Sequence, residues 1–91
     1  MKVFQTPTFQ RNYKKLNRNQ LSLVNDAIES IIAEPEIGEL KRGDLGSIRV
    51  HKVRKAKVEV LVAYWIEESA IELIDFGSHE NFYRDLKRRL K

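Results

Sequence analysis

Between positions 58 and 66 the chain is apolar at almost every step, through Val58, Val60, Leu61, Val62, Ala63, Tyr64, Trp65 and Ile66. A strand with one wet face alternates apolar and polar residues, whereas one that is apolar on both faces belongs in the middle of a sheet. Residues 58–66 are therefore expected to form a central strand. The flanking segments support this. Residues 47–53 and 70–76 read as strands on either side, joined to it through Arg54-Lys55-Ala56-Lys57 and Glu67-Glu68-Ser69, so that a three-strand meander is expected. Tyr64 and Trp65 take opposite faces, with Trp65 the expected core member.

A short strand at Val3-Phe4 is expected to end at Thr6-Pro7, because proline lacks a ladder donor and pushes its predecessor toward extended geometry. Thr6 then caps a helix with Pro7 in its first turn, and Phe9, Tyr13 and Leu16 recur at helical spacing. Asn17 or Asn19 caps a second helix with Leu21, Val24, Ile28, Ile31 and Ile32 on one face, stopped by Pro35 and Gly38. Two amphipathic helices with a three-residue joint form a hairpin, and its apolar stripe needs a sheet to lie on. Gly43-Asp44-Leu45-Gly46 is a turn signal before the meander. After Gly77, Ser78 caps a last helix whose Phe82, Leu86 and Leu90 stand four apart. The expected fold is α+β, in the order β-α-α-β-β-β-α, within a single domain spanning 1–91.

Charge is regional. The formal charge is only +4, but residues 39–57 hold seven Lys/Arg against two acids and residues 82–91 five against one. A basic face attracts phosphate or an acidic protein partner. The chain has no cysteine and two histidines, which gives neither a disulfide framework nor a metal-ligand spacing, so no metal or cofactor is expected. No segment approaches the length needed to span a bilayer, and no secretory signal precedes the first strand, so a cytoplasmic protein without a membrane partner is expected.

Alternation places Ile48 and Val50 toward the core and Arg49 with His51 on the other face, while Lys52 turns away from Arg49. Metal-free cleavage of RNA, an activity that only the chain's family resemblance implies, needs a proton acceptor, a proton donor and a fixed cation at the phosphorane. Histidine, with an unperturbed pKa of about 6.5, suits both proton roles. On this chemistry His51 and His79 are the candidate acid–base pair and Arg49 and Lys52 candidate phosphate stabilisers. Tyr83 is a candidate for stacking on a base or bonding a phosphate. Lys52, Arg54, Lys55, Arg84, Lys87 and Arg88 are candidate RNA contacts. The bland alternative for each is a solvated strand residue, a helix terminus or a helix–sheet contact.

The chain also resembles the RelE/ParE superfamily of toxins from type II toxin–antitoxin systems, most closely the ParE-like branch. The resemblance runs through Thr6-Pro7-Thr8-Phe9, Pro35-Glu36-Ile37-Gly38, Lys41-Arg42-Gly43-Asp44-Leu45, Arg49-Val50-His51-Lys52, Leu61-Val62-Ala63-Tyr64 and the block 77–88. It implies a helical hairpin packed on a twisted, mostly antiparallel sheet, and a growth inhibitor silenced by a cognate antitoxin. The leading expectation is metal-independent endoribonuclease action on mRNA at the ribosome; the alternatives are inhibition of DNA gyrase by binding without catalysis, or a toxin-like binding module without activity. RNA-cleaving relatives carry an arginine about four residues before the aromatic corresponding to Tyr64, where this chain has Glu59 and Val60. The arginine they place near the end of the last strand corresponds most nearly to His79.

Overall fold

A computed structural model describes residues 2–41, 47–78, Phe82 and Leu86. Its first strand, β1 (Lys2–Gln5), runs into α1 (Pro7–Lys14), and α2 (Arg18–Ala33) follows after a short joint. A single 3-10 turn, Pro35–Ile37, leads to β2 (Glu39–Leu40), then to the meander β3 (Arg49–Lys55), β4 (Val58–Glu67) and β5 (Ala70–Gly77). Phe82 and Leu86 are helical and buried. The expected order is found, with one addition: β2 is a two-residue strand with no apolar alternation to announce it. The turn signal at residues 43–46 lies outside the described residues.

Local chemistry explains the helix boundaries. The Thr6 hydroxyl accepts a hydrogen bond from the Phe9 amide at 3.1 Å, and Pro7 occupies the first helical position, where its missing N–H costs nothing. Asn17, the nearer of the two expected caps, starts α2 with a reciprocal box: its side chain accepts from the Gln20 amide at 2.9 Å, and the Gln20 side chain accepts from the Asn17 amide at 3.1 Å. Pro35 cannot continue α2 and opens the 3-10 turn instead.

The five strands form one sheet in the order β1-β5-β4-β3-β2. Every pairing is antiparallel except β1 with β5, which is parallel, with Phe4 opposite Glu72. The meander as read from the sequence is correct, and β4 is its centre. A register shift between Ala63 and Tyr64 marks a bulge against β5.

Both faces of the sheet bear a core. On one face Phe9, Leu23, Val24, Ala27 and Ile31 from the helices pack on Val60, Val62, Tyr64, Ile71 and Leu73. On the other, Phe82 and Leu86 pack on Ile48, Val50, Leu61, Ala63 and Ile74. This corrects one expectation. Tyr64, at 0% exposure, is the core aromatic, and Trp65 is the partly exposed one. Arg49 and His51 do face away from Ile48 and Val50, but that direction is the helix-bearing face and not an open surface. No described helix is long and apolar enough to cross a membrane.

Candidate functional site

Strand β3 carries the described candidates. Ladder register puts Arg49 opposite Tyr64 and His51 opposite Val62 on the helix-bearing face, while Lys52 lies opposite Leu61 and Arg54 opposite Glu59 on the reverse face. Lys55 has the parity of His51 but stands four residues further on, about 13 Å at strand rise. The structure therefore brings Arg49 and His51 to one face, as alternation requires, and separates both from Lys52 and Arg54. His79, Tyr83, Arg84, Lys87 and Arg88 lie outside the described residues.

Arg49 has a definite occupation. Its Nη1 donates to the Gly38 carbonyl at 2.9 Å and to the Glu36 carbonyl at 3.2 Å, spanning the chain that leaves the 3-10 turn. Its ladder partner Tyr64 joins it from below: the Tyr64 hydroxyl donates to the Pro35 carbonyl at 2.6 Å and accepts from the Gly38 amide at 2.9 Å. Burial pushes the Tyr64 phenol above its ordinary pKa of 10, partly opposed by the Gly38 hydrogen bond and the Arg49 charge. The phenol and guanidinium thus form a clamp that satisfies buried backbone groups on β2's approach, where unpaired groups would be costly. Gly38 is required by this clamp, because a Cβ there would lie 2.6 Å from the Tyr64 hydroxyl and 2.8 Å from its ring.

His51 is half-buried and makes no side-chain hydrogen bond to a described residue. Burial lowers its pKa below 6.5, because desolvation penalises the imidazolium. At neutral pH the ring is accordingly neutral and able to accept a proton. Val60 is buried in the helix-side core. An apolar cleft of about 170 Å³ is lined by Leu16, Leu23, Val58, Val60 and Phe76, together with Glu59 and Ser78.

Two polar arrangements escaped the sequence reading. Asp75, buried on β5, accepts from Asn12 Nδ2 at 3.1 Å and from the Phe76 amide at 2.8 Å, tying α1 to the sheet. A carboxylate inside the apolar segment 71–76 was the available signal. Trp65 Nε1 donates to Glu72 Oε1 at 2.7 Å across the β4–β5 ladder on the reverse face. Only the register reveals that pair.

Comparison with known proteins agrees with this architecture. The sequence model of a family described as the ParE-like toxin of type II bacterial toxin–antitoxin systems matches residues 3–87. No protein with a curated description matches. Among solved structures, the YoeB/ParE toxin from Agrobacterium tumefaciens superposes with a TM-score of 0.70 at 21% identity, covering 88% of this chain and 100% of that one. A chain of the intact E. coli RelBE toxin–antitoxin complex superposes with a TM-score of 0.69 at 14% identity, covering 87% and 96%. Likeness at such identities shows a shared fold.

Proposed function

Because the chain belongs to the ParE-like toxin family of type II bacterial toxin–antitoxin systems, we propose that it arrests growth by binding a protein target in the cytoplasm, with DNA gyrase as that target, until a cognate antitoxin sequesters it. The use made of Arg49 carries this reading. An endoribonuclease of this kind needs a fixed cation free to meet the phosphorane beside its proton-transferring groups. Here the guanidinium on the His51 face is bonded to two backbone carbonyls, and Lys52 and Arg54 project from the reverse face. The buried Val60 adds an apolar side chain where an RNA-cleaving site would want charge. Among the described residues, a basic strand whose arginine is committed to backbone and whose other cations turn to the reverse face fits capture of a partner better than turnover of a phosphodiester.

Metal-independent cleavage of mRNA on the ribosome is the second reading, and one observation favours it. The half-buried His51 imidazole is held neutral near physiological pH, which is the state a general base requires. Induced expression separates the two. Loss of plasmid supercoiling with a DNA-damage response, unchanged in His51→Gln, supports the gyrase reading. Codon-linked cuts in primer extension that disappear in His51→Gln overturn it in favour of the ribonuclease, and neither response would leave a toxin-like binding module.

A further inference from the structure

The reverse face of the sheet, where Trp65 packs against the core that Phe82 and Leu86 complete, holds an arrangement that neither reading uses. Glu72 lies in one ladder row between Phe4 on β1 and Trp65 on β4. Side chains in such a row share a face and stand about 4.8 Å apart from strand to strand. The indole N–H of Trp65 fixes one carboxylate oxygen at 2.7 Å. The second oxygen has no ion-pair partner among the described residues, whose ion pair is Lys41 with Glu39 at the other edge. On the far side of the carboxylate Phe4 is 53% exposed, although its side chain is among the most costly to leave in water.

The backbone beside this row is open as well. β1 ends the sheet. The amides of Lys2 and Thr6 bond inward, to the carbonyls of Ser69 and Leu73. Alternate residues of a parallel strand serve one neighbour, so Val3 and Gln5 direct their amide and carbonyl groups to the open side. An extended segment can pair there, and a side chain it projects onto the reverse face comes to lie over Phe4 and Glu72.

We propose that β1 and the Phe4–Glu72–Trp65 row form a docking surface for an extended, arginine-bearing segment of a protein partner. The segment pairs with Val3 and Gln5, its guanidinium donates to the free oxygen of Glu72 and stacks on the Phe4 ring, and Trp65 positions the carboxylate. A carboxylate at the centre repels phosphate, so the occupant is a peptide and not a nucleic acid. Four residues of edge offer few backbone bonds, which gives the arginine most of the selectivity. The surface is on the opposite edge from the basic strand β3, and the inference holds whichever target the toxin acts on.

The test uses the full 91-residue chain and a blocked pentapeptide with threonine and valine flanking a central arginine, followed by amide and indole NMR shifts. Expected are shifts at Val3, Phe4, Gln5 and the Trp65 indole N–H, with affinity falling about three- to tenfold in Glu72→Gln, in Phe4→Ala and when the peptide arginine is replaced by norleucine. Glu72→Gln keeps an oxygen for the indole, so it removes charge without removing the hydrogen bond. Shifts confined to β3, equal affinity in Glu72→Gln, or no binding at millimolar peptide would overturn the proposal.

Discussion

At the β2 edge the terminal strand is two residues long and is held by side chains reaching out of the interior, Tyr64 onto Pro35 and Gly38 and Arg49 onto Glu36 and Gly38. At the β1 edge a four-residue strand is held by its ladder and by Thr6, whose hydroxyl donates to the Ile74 carbonyl while capping α1. The two edges therefore invert what residue type alone would imply. Tyrosine and arginine, which look like catalytic equipment, are spent on backbone carbonyls and amides. The edge built from Phe4, Glu72 and Trp65 keeps a ring and a carboxylate oxygen uncommitted. What matters in a side chain is the hydrogen bonds it has left after folding.

That contrast can be broken most forcefully at Gly38. Gly38→Ala drives a methyl into the Tyr64 ring and hydroxyl, and a stability loss of about 2–3 kcal/mol in urea unfolding is expected from overpacking of this kind. A loss too small to measure would mean that the clamp yields and does not hold the edge. Tyr64→Phe comes next: it strands the Gly38 amide and the Pro35 carbonyl, at about 1–3 kcal/mol for unmet buried partners. The same variant carries a pH signature. Because the folded phenol titrates above 10, its contribution is whole below the unfolded value and is lost as pH rises through the folded one, so wild-type stability should decline on the alkaline side and that part of the decline should vanish in Tyr64→Phe.

The β1 edge should respond less. Thr6→Ala removes one cap and one bond to Ile74, and a loss of about 1 kcal/mol is expected in the same unfolding experiment; a loss matching that of Gly38→Ala would erase the distinction between the edges. The smallest effect belongs to His51. Its folded pKa lies below 6.5, so the unfolded chain binds the proton first, and stability present above pH 6.5 is lost as pH falls through the folded value. NMR titration of the imidazole should give a midpoint under 6.5, and His51→Gln should flatten this limb of the stability profile.

Much of the fold was legible because local signals agreed with tertiary ones. Thr6-Pro7, Asn17 with Gln20, Pro35 and the apolar meander all mark boundaries through chemistry within a few residues, and the structure honours each of them. The site was less legible for a physical reason. In a sheet covered on both sides, alternation names the face of a residue but not whether that face is wet. Leu61, Val62 and Ala63 are buried in succession, and the same ambiguity led to the choice of Trp65 over Tyr64. The partners of Arg49 and Tyr64 lie 11 to 29 residues away at a turn whose composition says nothing of them. β2 went unforeseen because Glu39 and Leu40 are both exposed and too few to show a period.

The parallel pairing of β1 with β5 joins the earliest-made strand to one completed only at Gly77. While the chain is being synthesised, Val3 and Phe4 have no neighbour to pair with until codons past 70 have been read. A fragment that stops before residue 70 therefore lacks the strand on which β1 docks, and its first strand has nowhere to pair.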